Sequence, residues 1–130
     1  MSLFPILVGA VLSSMLGAAW YSPALFGPAW MKALGKTEDE LTPAGKEIAG
    51  SALSCLIAAS AMEWLVVSTG STTALAGASV GALVGLGIVA MTMLSDALFS
   101  GWGVALYAIQ VGYRATYLLL MGTISGAWPR

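Results

Sequence analysis

The chain has 130 residues, of which only five are basic and six acidic, leaving a net charge of -1. Apolar residues reach 58% and the mean hydropathy is +0.89, whereas soluble domains devote about a quarter of their residues to charge. So few charges cannot cover a water-soluble fold of this size, and without a dense Lys/Arg cluster the chain is not expected to bind nucleic acid.

One cysteine, Cys55, and no histidine leave disulfide frameworks, zinc sites, His-ligated haem and Ser/His/Asp or Cys/His catalysis without their parts. No metal or other cofactor is expected. The expectation is a non-enzymatic protein, with Cys55 a small packing residue in an apolar stretch.

In chain order, the first apolar run, Leu3 to Trp20, lacks the basic segment of a secretory signal and ends in Trp20-Tyr21, a pair suited to the membrane interface. It reads as the first membrane helix. The loop 22–45 holds three of the five prolines and the charge group Lys36, Glu38, Asp39, Glu40, so it must lie in water. Its first half, 23–34, mixes Leu25, Phe26, Trp30 and Met31 with Lys32, as expected of a short helix along the headgroup layer, bent at Gly27-Pro28.

Further spans follow at about 46–68, 74–99 and 102–127, each close to the roughly 20 residues a bilayer demands. Thr69 to Thr73 forms a turn, and Ser100-Gly101 breaks the last two spans apart. Continuous apolar runs without alternation exclude a membrane β-barrel. The fold class is therefore an all-α membrane protein: four transmembrane helices in a single domain, with a short interfacial helix in the first loop. Both termini then share a side, and the lysines of the first loop place that loop in the cytoplasm by the positive-inside rule.

Gly77, Gly81 and Gly85 recur every four positions and give the third helix a flat groove; Gly122 and Gly126 repeat the spacing on the fourth. Such faces join helices within a chain or between copies, so a homo-oligomer is one expected partner beside the lipid bilayer. Charges inside the spans are more telling, because each costs roughly 2.5 to 3.5 kcal/mol at the bilayer centre. On the fourth helix Tyr107, Gln110, Arg114 and Tyr117 follow steps of three and four and form one polar stripe. At 1.5 Å per residue, Glu63 lies roughly 8 Å from the outer end of its helix and Arg114 roughly 20 Å from the same level. Tilt and a long side chain would be needed to join them. Asp96, roughly 18 Å from Arg114 in axial rise, is the poorer partner. Glu63 and Arg114 are expected either to pair or to snorkel to opposite faces, with Asp96 at a helix end, or else to line a polar pathway.

The run Gly17-Ala-Ala-Trp20-Tyr21-Ser22-Pro23-Ala-Leu-Phe26-Gly27-Pro-Ala-Trp30-Met31 resembles the signature of the domain-of-unknown-function family numbered 1761, in which a Trp-Tyr-Ser-Pro element precedes Phe-Gly and a Trp. Asp96 to Phe99, and Gly112-Tyr113 through Met121-Gly122 to Trp128, are similar to its second half. The resemblance implies a small, mainly bacterial, multi-pass membrane protein of about four helices, placed in the inner membrane and without an assigned activity. It directs attention to Trp20, Tyr21, Ser22, Pro23, Phe26, Gly27 and Trp30, whose physical content alone is an aromatic anchor with a proline-enforced exit from the first helix. Two functions fit these residues: movement or binding of a small solute or ion along the polar stripe, and an accessory role in which the first loop docks a partner.

Overall fold

The computed structural model describes all 130 residues, and its regular elements are all helical, without strands. Four helices are long and apolar enough to cross a membrane: α1 (Leu3–Trp20), α3 (Gly45–Ser68), α4 (Ala74–Ser100) and α5 (Val104–Ala127). A short helix, α2 (Gly27–Leu34), and a single 3₁₀ turn at Asp39–Leu41 occupy the first loop. The chain is an all-α membrane protein whose large apolar side chains, among them Leu75, Leu98, Phe99 and Val104, are turned outward. That pattern suits lipid as the surrounding solvent, because in water it would leave an uncovered apolar surface over the whole bundle.

α5 is the central helix and touches α1, α2, α3 and α4. Two different kinds of packing hold it. Against α1 and α3 it contributes Leu118 and Met121 to a side-chain core with Ile6, Ala10, Cys55, Ala59, Met62 and Val66. Against α4 the contact is backbone on backbone: a Cβ on Gly77 would overlap the carbonyl oxygen of Gly122, and one on Gly122 would overlap that of Gly77. Only glycine permits this approach, and the close fit supplies the van der Waals contact that substitutes for the missing hydrophobic drive between helices in lipid. Gly81 sits on Leu118 and Leu119, Gly85 on Ala115, and Gly126 on Gly77. The five glycines thus spend their bare faces on contacts between α4 and α5 within one chain.

α4 is not uniform. From Leu83 to Val89 it winds as a π-helix, in which the Ala90 amide donates to the Gly85 carbonyl five residues back. Immediately after this wider turn, the Tyr107 hydroxyl donates to the Ala90 carbonyl at 2.6 Å and ties the segment to α5.

The first loop departs from expectation at Gly27-Pro28, which begins α2 and does not bend a longer helix. Pro28 stands in the first turn, where its missing N–H has no helical partner to lose. Before it, the amides of Leu25 and Gly27 both donate to the Ser22 carbonyl and that of Phe26 to the Trp20 carbonyl, so residues 21–26 form a tight turn. Gly27 is needed there, since a Cβ would come within 2.6 Å of the Tyr21 carbonyl oxygen.

Candidate functional site

The two ends of the bundle carry different chemistry. At the end bearing both termini, Glu63 is 1% exposed and its carboxylate is completely engaged. The Ser2 amide donates to Oε1 at 2.9 Å, the Ser125 hydroxyl donates to Oε2, and Arg130 grips both oxygens at 2.5 and 3.0 Å. The same guanidinium donates to the Ser125 carbonyl at 2.8 Å. One carboxylate therefore ties α3 to the start of α1 and to the residues that follow α5. A bidentate pair with further donors is the arrangement in which a buried charge is tolerated, and the same bonds hold Arg130 protonated above its ordinary range.

Of the arrangements expected for Glu63, the pair with Arg114 is therefore not formed, since Arg130 takes that place. The last three residues leave the helix in extended backbone at Trp128, φ -68° and ψ 131°, and bring Arg130 back to the level of Glu63. Arg114 lies too far down α5. Its Nη1 donates instead to the Gln110 carbonyl at 2.9 Å, one turn toward the loop.

At the loop end, the signature residues fold back onto the polar stripe. The Trp20 indole donates to the Ile109 carbonyl at 3.1 Å and the Tyr21 hydroxyl donates to the Gln110 side-chain oxygen. Tyr113, one residue before Arg114, donates to the Ser13 carbonyl at 3.0 Å and so links α5 to α1. The rings form a continuous cluster: Trp20 lies 4.7 Å from Phe26, Tyr21 lies 4.5 Å from Trp30 and 5.6 Å from Tyr113, and Tyr113 lies 4.9 Å from Tyr117. Beyond sitting at the end of a span, Trp20 and Tyr21 clasp α1 to α5.

Beside this cluster opens a cleft of about 550 Å³ between α1, α2, α3 and α5, walled by Ser14, Gly17, Ala18, Tyr21, Trp30, Leu41, Pro43, Glu47, Ile48, Ser51, Ala52 and Tyr113. It exists because the first ten residues of α3 are exposed on every face, with open space around Gly45 and Gly50. Glu47 fixes the start of that helix by accepting the Ala44 amide at 2.9 Å. Trp30 brings an indole N–H that is buried without a protein acceptor.

The polar candidates from the sequence therefore do not make one line. Gln110, Arg114 and Tyr117 gather behind Tyr21 and Tyr113, Tyr107 serves α4, and Glu63 belongs to the opposite end of the bundle. Asp96 is exposed on α4 with neither hydrogen bond nor ion pair. Sequence reasoning missed Arg130, Ser125 and Ser2: the depth arithmetic sets Glu63 level with the last turns of the final span, and Arg130 reaches that level only through the extended backbone at Trp128. It also missed Glu47 and Ser51, which carry no signal beyond a helix start. Tyr113 was missed as well, although its place one turn before Tyr117 and three residues after Gln110 is a signal that would have found it.

Searches of curated proteins and of solved structures return no match. The family model described as "Protein of unknown function (DUF1761)" matches residues 4–126, which takes in the aromatic clasp, the cleft, Glu63 and the glycine seam. The chain belongs to that family.

Proposed function

We propose that the protein is a non-enzymatic membrane protein that binds a small solute in the loop-end cleft. The observation that carries this reading is the convergence of Tyr21 and Trp30 from the signature with Tyr113 of α5 around about 550 Å³ of space, within the roughly 300–1,000 Å³ typical of small-molecule sites. The walls are mainly apolar with a few polar groups, the usual composition of such a site. The stripe residue Gln110 supports the wall from behind through Tyr21. Thermal melting in decyl maltoside micelles with alcohols, amines and carboxylates carrying medium-length alkyl chains tests it. At least one should raise the melting temperature of the native chain, and Ala52→Trp, which fills the cleft from α3, should abolish that rise. Equal stabilisation of both chains, or of neither, removes the cleft as a binding site.

A second reading draws on the exposed side chains of Glu38 and Asp39, which neither hydrogen-bond nor pair within the chain. In it, the first loop docks another membrane component, and Glu38→Gln with Asp39→Asn, which leaves the turn and Leu41 in place, weakens that association without changing solute binding.

A further inference from the structure

The charge and the ring geometry of the cleft point to a ligand class, and this step rests on the cleft reading above. Among the twelve residues of its wall the only ionised group is Glu47; no Lys or Arg is present. Lys46, 3.8 Å from the Glu47 carboxylate, has an 85% exposed side chain and lies outside the wall. Arg114, the one cation of α5, is not part of the wall; its guanidinium stands behind Tyr21, against the ring's hydroxyl, and donates to the Gln110 carbonyl.

The three aromatic residues are not stacked. Tyr21 meets Trp30 at 57° and Tyr113 at 75°, so the rings form a corner. An angled set of electron-rich rings attracts a cation through the ring quadrupoles, most strongly for Trp, and is the arrangement by which proteins recognise quaternary ammonium groups. The donors of the wall, the Trp30 indole N–H among them, are all neutral, so a strongly hydrated anion finds no counter-charge there, and a fully apolar ligand leaves the Glu47 carboxylate unused. We propose that the cleft binds an organic ammonium ion with an apolar body, the cationic head against Tyr21, Trp30 and Tyr113 with Glu47 as counter-charge, and the body along Leu41, Ile48 and Ala52.

The test compares benzyltrimethylammonium with its uncharged carbon isostere, neopentylbenzene, by titration into the full chain in decyl maltoside micelles, followed by calorimetry and tryptophan emission. The cation should bind about tenfold or more tightly than the isostere. Glu47→Gln should remove about that preference while keeping the helix start, since the amide oxygen still accepts the Ala44 N–H. Trp30→Leu should weaken the cation more than the isostere. Equal binding of the two probes, unchanged by Glu47→Gln, overturns the ammonium assignment and leaves the cleft as an apolar site. Failure of both probes, together with no effect of Ala52→Trp on any amphiphile, overturns the cleft reading itself.

Discussion

The terminal end and the loop end of the bundle solve opposite problems with similar residues. At the terminal end a single carboxylate, Glu63, is closed in and saturated by Ser2, Ser125 and Arg130. At the loop end another carboxylate on the same helix, Glu47, has a side chain 51% exposed and stands at the edge of a cleft beside rings. The difference lies in what surrounds each. α3 is packed against its neighbours around Glu63 and stands apart from them around Glu47, so the first carboxylate has to be neutralised by protein while the second, beyond its bond to the Ala44 amide and its pairing with Lys46, stays open to solvent. A charge inside a membrane span is thus a structural fastening here, while the charge at a helix start keeps an open side.

The largest expected effect breaks the closed end. Arg130→Ala leaves a buried carboxylate with its counter-charge gone, a change that typically costs about 3–5 kcal/mol. The Ser2 amide and Ser125 hydroxyl remain, so the lower figure is expected, about 3 kcal/mol, read from unfolding in micelles. Adding Glu63→Gln to that variant should recover much of the loss, because the uncompensated charge disappears; a double-mutant cycle reports the coupling directly. Additive losses would mean that the two side chains do not form a pair. Glu47→Gln by contrast should leave stability within about 0.5 kcal/mol of the parent, as surface substitutions do.

A smaller effect probes how the clasp supports the open end. Tyr21→Phe keeps the ring beside Trp30 and Tyr113 and removes the hydroxyl that donates to Gln110. Loss of one such bond costs about 1 kcal/mol, and amide exchange should rise around the 21–26 turn while the Glu63 end stays protected. Uniform loosening of both ends would show that the clasp and the Glu63 fastening are not independent.

The two ends also differ in how far the sequence discloses them. The spans are plain in the apolar runs, because lipid enforces continuous helix, and the glycine spacing declares a close helix contact. Which helices meet along that groove depends on the connection order and on the π-helical stretch Leu83–Val89, neither of which spacing encodes. The polar stripe of α5 was readable as a face but not as a destination. What covers it is the turn after Trp20, and a turn that reverses the chain onto a distant helix has no periodicity to read. Arg130 was passed over because it stands outside any span, where a charge ordinarily needs no partner; only its return through extended backbone at Trp128 gives it one.

The smallest effect lies beyond both ends, in the water-exposed loop, and it concerns pH. The Thr37 amide and hydroxyl both donate to Glu40 Oε1 at 3.1 Å, and these two bonds hold the Glu40 carboxyl below its ordinary range. A carboxylate lowered by folding adds support above its unfolded value and loses it as the pH falls through its folded value. The 3₁₀ turn Asp39–Leu41 should therefore be firmest at neutral pH and loosen on acidification. Between about pH 6 and pH 3, a range that brackets the ordinary glutamate value of about 4.3, the Thr37 amide resonance should move with an apparent midpoint below that of a free glutamate. In Glu40→Gln the same resonance should stay still across the range, while the amides around Glu63 are indifferent to the substitution. A Thr37 resonance that titrates equally in both chains would separate this turn from Glu40 and leave the loop without the local fastening that the terminal end has in Arg130.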